Sequence, residues 1–247
     1  MNPRSRNAAL ICSYKWNIAQ GSLQDYLSPP HEFDAPKSFQ YFKEITEGLK
    51  YIHKQGVIHR DMKPGNVFLG LDGVAKIGDF GQSCFRPNDC PTFTATPNLG
   101  TLGYEAPELE AGKNISEKVD IFPLGIMYFS LFISYATLVQ RHNEYIQFKN
   151  DTSRKNWECL SWQGDSSFCM ELTAEDPLKR PCAADILESL HKRTRLSQKC
   201  EKSTKNDVKM IENEGCETQS EEELRQTCHH RGHLGLRSTE EIWKQVS

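Results

Sequence analysis

The longest periodic stretch of the chain runs from Pro36 to Gly56, where Phe39, Phe42, Ile45, Leu49 and Ile52 recur at three- and four-residue steps. That spacing places all five on one stripe of an α-helix, and Gly56 is a natural terminator just past the last turn. The spacing predicts a helix over 36–56. A second apolar stretch, Ile121–Gln140, has no such alternation and carries no formal charge over twenty residues. Its length is near that needed to cross a bilayer. Pro123, Gly125, two serines and two tyrosines dilute it, and a helix buried on all sides in a globular core has the same pattern. A buried central helix is therefore expected, and no membrane partner. From Ser197 to Ser247 the periodicity disappears: Glu, Lys, Ser, Thr and Gln dominate until Ile242-Trp243. Such a stretch buries too little to offset its ordering entropy, so 196–247 is expected to be a charged, disordered tail. No internal repeats are present.

Composition narrows the picture. The 247 residues suffice for one sizeable core with room for a tail. A formal net charge of −3 offers no basic field for nucleic acid, so no direct nucleic-acid binding is expected. Nine cysteines, an odd count with no Cys-x-x-Cys pair, argue against a disulfide framework or zinc ribbon. A reducing cytoplasmic or nuclear setting fits them better. Cys228, His229, His230 and His233 cluster in the polar tail, where such groups are more often without a metal. Arg4 and Arg6 precede the apolar run Ala8–Cys12, but Lys15 closes it too soon for a secretory leader.

The chemistry is concentrated in Val57–Phe68, which reads Val-Ile-His-Arg-Asp-Met-Lys-Pro-Gly-Asn-Val-Phe, followed thirteen residues after Asn66 by Asp79-Phe80-Gly81. Asp61 is a carboxylate placed to take a hydroxyl proton. Lys63 is a cation for phosphate charge. Asn66 and Asp79 bring an amide and a carboxylate whose oxygens suit Mg²⁺. Phosphoryl transfer needs those roles and little covalent chemistry besides. Further blocks follow in Gly100–Glu108 (Gly-Thr-Leu-Gly-Tyr-Glu-Ala-Pro-Glu), Asp120–Gly125 and Asp176–Pro181. One His-Arg-Asp triplet would be weak; ordered blocks at these spacings are strong.

In this order the blocks resemble the large lobe of a protein kinase over roughly residues 20–195. A lysine two places after Asp61 looks like the serine/threonine branch. Gly21–Leu27, Ile45–Asn66, Lys76–Gly81, Gly100–Glu108 and Val119–Gly125 are most similar to the kinases of the translation initiation factor 2 α subunit, particularly the double-stranded-RNA-activated type. The resemblance implies an α+β fold, mostly α, with a few short strands around the catalytic loop and Gly21–Leu27 opening the helix after the hinge. Nothing before Gly21 spells G-x-G-x-x-G or a Val-Ala-Ile-Lys strand, and Ser13–Gln20 carries Lys15 and Trp16 where apolar-acidic text is usual. An N-terminal β lobe is accordingly expected to be missing, leaving a hinge remnant (1–20), a large lobe (21–195) and the tail (196–247). The missing small lobe, or a dimer partner, becomes an expected partner.

Roles follow from the resemblance. Asp61 is the base toward a serine or threonine hydroxyl, Lys63 neutralises the transferred phosphoryl, Asn66 and Asp79 hold Mg²⁺, and Phe68 packs beneath the adenine of ATP. His59 and Phe80 stack in the core. Arg60, with a guanidinium left unbalanced, implies control by phosphorylation of the loop Gln82–Leu99. That loop offers Thr92, Thr94 and Thr96, and Thr96 is the expected site by its distance from Gly100-Thr101. Thr101 is expected to contact Asp61 and Lys63. Glu108 and Arg180 form a buried ion pair, and Asp120 begins the buried helix with Pro123 in its first turn, where proline is tolerated. The implied activity is transfer of the ATP γ-phosphoryl to a protein hydroxyl, on the initiation factor α subunit as substrate, repressing translation. Without a glycine loop and strand lysine the chain is expected to be nearly inactive alone. A truncated non-catalytic isoform acting as decoy or scaffold stands as the alternative, as does a fragment of a longer gene product.

Overall fold

The structure is a computed structural model that describes residues 19–86, 92, 94, 103–150 and 164–192. It divides into two units, Met1–Ser189 and Leu190–Ser247, and everything below concerns the first. The expected hinge remnant before residue 19, the tail over 196–247 and the Cys228–His233 cluster lie outside the described residues.

The fold is mostly helical with a few short strands, as expected. Strand β1 (Ala19–Ser22) leads into the short helix α1 (Leu23–Tyr26), and the long helix α2 (Ala35–Lys54) follows. Strands β2 (Val57–Ile58), β3 (Val67–Gly70), β4 (Ala75–Ile77) and β5 (Cys84–Phe85) surround the catalytic-loop sequence. They pair antiparallel as a three-stranded sheet, β1-β3-β4, and a two-stranded one, β2-β5. Helices α3 (Pro107–Glu110), α4 (Lys118–Leu131), α5 (Leu138–Asn150) and α6 (Ser166–Leu172) complete the described core, and a last helix, α7, begins at residue 183.

Helix α2 forms where periodicity placed it. Asp34 caps it by accepting from the Lys37 amide, which moves its start to Ala35, and Phe39, Phe42, Ile45, Leu49 and Ile52 are all buried. Gln55 is its C-cap, and Gly56 follows at φ +73°, a left-handed turn that glycine adopts without strain. The stretch Gly21–Leu27 is less helical than expected. Gly21 and Ser22 belong to β1 and pair with β3, and only from Leu23 does the chain coil. Ser22 turns it by a capping box: the Ser22 amide donates to Asp25 Oδ2 at 2.7 Å and the Asp25 amide to Ser22 Oγ at 3.4 Å.

Helix α4 is the central element, buried on every side from Val119 to Leu131. It packs against α2 and α6 through aromatic contacts, with Phe42 4.9 Å from Tyr128 and Tyr128 5.2 Å from Phe168, ring centre to ring centre. The uncharged run Ile121–Gln140 is broken after Leu131, where the chain leaves the helix and restarts at Leu138. Among the described residues no helix is long and apolar enough to cross a membrane.

Pro123 does not sit in the first turn. The helix opens at Lys118, whose amide donates to Ser116 Oγ, and the Val119 and Asp120 amides bond back to Ser116 O and Glu117 O at 3.2 Å. This early start puts Pro123 inside the helix, where its missing N–H deletes one ladder bond. Burial of the surrounding residues keeps the helix continuous.

Close packing makes Gly125 a constraint. A Cβ there would lie 2.6 Å from Thr173 Cγ2 and 2.8 Å from Leu172 Cβ, so α4 and the end of α6 touch through the bare backbone. Gly125→Ala is expected to destabilise the fold by about 1–3 kcal/mol through overpacking, read as a lower midpoint in chemical denaturation.

The expected Glu108–Arg180 ion pair is present and bidentate, with Arg180 Nη1 to Glu108 Oε1 at 2.6 Å and Nη2 to Oε2 at 2.9 Å. Arg180 also donates to the carbonyls of Ala174, Lys118 and Glu175, which engages all five of its N–H groups. Glu108→Ala strands this buried guanidinium. Its cost is expected to be roughly 3–5 kcal/mol, and a denaturation midpoint unchanged from wild type would contradict the pairing.

Candidate active site

The site is built from the loop between β2 and β3, anchored from below by the first turn of α4. Asp120 is wholly buried and accepts three hydrogen bonds. The His59 amide reaches Oδ2 at 2.9 Å, the Arg60 amide Oδ1 at 2.8 Å and His53 Nε2 Oδ2 at 2.8 Å. Arg60 stands at φ +65°, a left-handed conformation that a residue with a Cβ adopts only under constraint. Burial opposes the Asp120 charge. The bond from His53, the nearby His53 and His59 rings and the His59 amide outweigh burial and hold the carboxyl below its ordinary value.

His59 is buried at the turn of the loop. Its Nδ1 accepts the Asp61 amide at 3.3 Å and its Nε2 donates to Gly78 O at 2.9 Å, which assigns the Nε2–H tautomer. Its ring meets Phe80 at 5.0 Å, the expected stack. Asp61 follows, 5% exposed. Its Oδ2 accepts from Lys63 Nζ at 2.9 Å and from Asn66 Nδ2 at 3.0 Å, and Asn66 Nδ2 also donates to Asp61 O at 2.8 Å. These bonds fix the plane of the carboxylate and commit the nitrogen of the Asn66 amide, turning its oxygen away from Asp61. The turn Pro64–Asn66 then enters β3.

Pairing of β3 with β4 brings in the second block. The Gly78 amide donates to Asn66 O at 2.9 Å, so Asp79 follows directly on a residue bonded to Asn66. Asp79 is exposed at φ +57°, its Oδ1 accepting the Gly81 amide at 3.3 Å. Phe68 is half-buried in the middle of β3, opposite Ser22 of β1 and Lys76 of β4. Hydrogen bonds thus join His59, Asp61, Lys63 and Asn66 in one loop, the Gly78 amide ties Asn66 to the residue before Asp79, and Glu108 and Arg180 brace the fold elsewhere. A cleft beside Asp61 is bordered by Tyr104, Glu105, Leu109 and Pro123.

Arg60 is not left wholly unbalanced. Its Nε donates to Gln82 O at 2.6 Å, because the turn Phe80–Gln82 carries that carbonyl back to the loop, although a carbonyl does not neutralise the guanidinium charge. Thr92 and Thr94 are exposed, whereas Thr96 and Thr101 lie outside the described residues. His53 was missed. On its own it reads as one more residue near the apolar stripe of α2, and nothing local announces a partner 67 positions away.

Donor chemistry fits magnesium nucleotide. Asn66 and Asp79 present oxygen ligands of the kind a hard cation prefers, and Lys63 places a positive charge on the Asp61 carboxylate. Bound Mg-ATP supplies a transferable phosphoryl group with part of its charge screened. The Asp61 carboxylate, with Lys63 on one of its oxygens, is a group chemically able to take the proton of a hydroxyl.

A family model described as protein kinase domain matches residues 6–191. The chain belongs to the protein kinase family. It is 31% identical over 205 residues to a Caenorhabditis elegans eukaryotic translation initiation factor 2-alpha kinase, covering 74% of this chain and 19% of that one. It is 32% identical over 192 residues to the mouse interferon-induced, double-stranded RNA-activated protein kinase, covering 75% and 35%. A human eIF-2-alpha kinase is 31% identical over 194 residues, covering 69% and 12%. The kinase chain therefore spans a minor part of each relative's length.

The three bonds on Asp120 carry a pH signature. Its folded pKa lies below the unfolded value of about 3.9, so the stability it contributes is complete above that pH and is lost as pH falls through the lower folded value. Asp120→Asn is expected to cost about 3–5 kcal/mol near neutral pH. It should also flatten the dependence of unfolding free energy on pH below about pH 4, a slope that urea titrations at several acid pH values measure.

Proposed function

We propose that this kinase transfers the γ-phosphoryl group of ATP, with Mg²⁺, to a serine or threonine hydroxyl of a protein, namely the α subunit of translation initiation factor 2, and so represses translation. The single observation behind the chemistry is the Asp61 carboxylate held by Lys63 and Asn66 on a loop pinned to Asp120. The substrate rests on the relatives, several of which are named as kinases of that α subunit. Phe68 packs beneath the adenine in this reading, and Asn66 with Asp79 holds the metal. Thr96 is the proposed activating phosphosite, supported by the Arg60 guanidinium, which donates to the neutral Gln82 carbonyl and pairs with no carboxylate among the described residues.

The test uses the purified chain with Mg-ATP, the α subunit and an unrelated basic protein. Phosphoryl transfer to the α subunit, expected to be weak for this chain alone, should fall by at least about 10²-fold in Asp61→Asn. Transfer to the basic protein with none to the α subunit would remove the substrate and leave the chemistry. No transfer to either protein would remove the catalytic reading of this chain.

A further inference from the structure

The segment between α1 and α2 is tied to the connection that follows α4. The His31 amide donates to Tyr135 O at 2.8 Å and the Tyr135 amide to His31 O at 2.9 Å, a two-way bridge. The imidazole at this bridge is 3% exposed, and its Nε2 has no hydrogen-bond partner among the described residues. Aromatic rings enclose it: Tyr26 of α1 stands edge-on at 5.3 Å and Tyr135 tilted at 5.1 Å. Tyr41 of α2 backs Tyr26 at 5.1 Å. Arg141 of α5 brings its guanidinium within 5.8 Å of the Tyr135 ring, with a buried Nη1 that also lacks a partner. The Tyr135 hydroxyl donates to Leu27 O, locking the ring in place. Glu32, exposed and next in the chain, acts on His31, and Asp34 acts on Tyr26 and Tyr41.

We infer that His31 is an acid-sensitive latch: its bridge to Tyr135 holds while the imidazole is neutral and opens when the ring takes a proton. A protonated ring would carry a buried charge in the field of Arg141, which the Tyr26 and Leu131 carbonyls and Glu32 offset only in part. Burial is the first cause pushing His31 below its ordinary value. Arg141 adds to it, and the Tyr26 and Leu131 carbonyls and Glu32 pull the other way without prevailing. With the folded pKa below the unfolded value of about 6.5, the latch is at full strength above that pH. It weakens as pH falls toward the folded value. Opening releases the 132–137 connection at the start of α5, where Leu138 and Val139 are already exposed. The inference is independent of the proposed substrate and of catalysis.

Two measurements on the full chain test it: an NMR titration of the His31 ring, and hydrogen exchange of the Tyr135 amide near pH 7.5 and near pH 5.5, corrected for intrinsic exchange. The expected midpoint lies below about 6.5. Protection of the Tyr135 amide should drop by up to about tenfold between the two pH values, while the Gly78 amide in the catalytic region stays protected. His31→Phe keeps a ring in place and should hold its protection at both pH values, and Arg141→Leu should raise the His31 midpoint. A midpoint at or above the ordinary value, equal protection of wild type at both pH values, or an undiminished pH response in His31→Phe would overturn the latch. The wild-type titration decides even where a variant fails to fold.

Discussion

A buried carboxylate sets the geometry of the catalytic loop. Asp120 faces no solvent and accepts hydrogen bonds from His53, His59 and Arg60. The left-handed backbone at Arg60 costs on the order of 1–3 kcal/mol. Each bond to a charged acceptor is worth roughly 1.5–3 kcal/mol, so the clamp outweighs the strain it imposes. Asp120 belongs to a helix buried on every side, which ties the direction of the Asp61 carboxylate to the position of the core.

The same end of α4 organises the segment after the activation loop. Arg180 joins Glu108 to the Lys118 carbonyl, and Lys118 Nζ donates back to Arg180 O. The Arg180 guanidinium also lies 5.0 Å from the ring of Phe122, so charge pairing, backbone capping and cation–π contact meet at one turn. Catalytic loop and 104–110 segment are therefore referenced to the same rigid element. The cleft beside Asp61, bordered by Val119 and Pro123 below and Tyr104 above, is a consequence of that shared footing.

Family and substrate are written at different scales. Phosphoryl transfer relies on a handful of short-range contacts among residues close in sequence, and the family match over residues 6–191 places the chain among the protein kinases. Choice of a protein substrate depends on surface shape over a wide area, which short motifs do not encode. Similarity to the initiation factor kinases near 31% identity, across part of each relative, points to a substrate without fixing it.

The sequence by itself determined the elements whose causes are local. The apolar stripe and Gly56 marked helix α2 and the His59–Asn66 block marked the catalytic loop, whereas the Glu108–Arg180 pair, 72 positions apart, was implied by the family resemblance of the ordered motifs. Where causes were distant, only the tertiary structure decided. His53 reads as part of an apolar helix until α4 brings Asp120 against it. The carbonyl of Gln82 is unremarkable until the turn after Asp79 points it at Arg60. Pro123 looked like a first-turn residue because Asp120 opens the motif, whereas Ser116 and Glu117 start the helix earlier. His31 and Tyr135 find one another only through packing. Periodicity and motif spacing report what a residue does to its own turn of chain; a bond between residues far apart in sequence exists only once the core has folded between them.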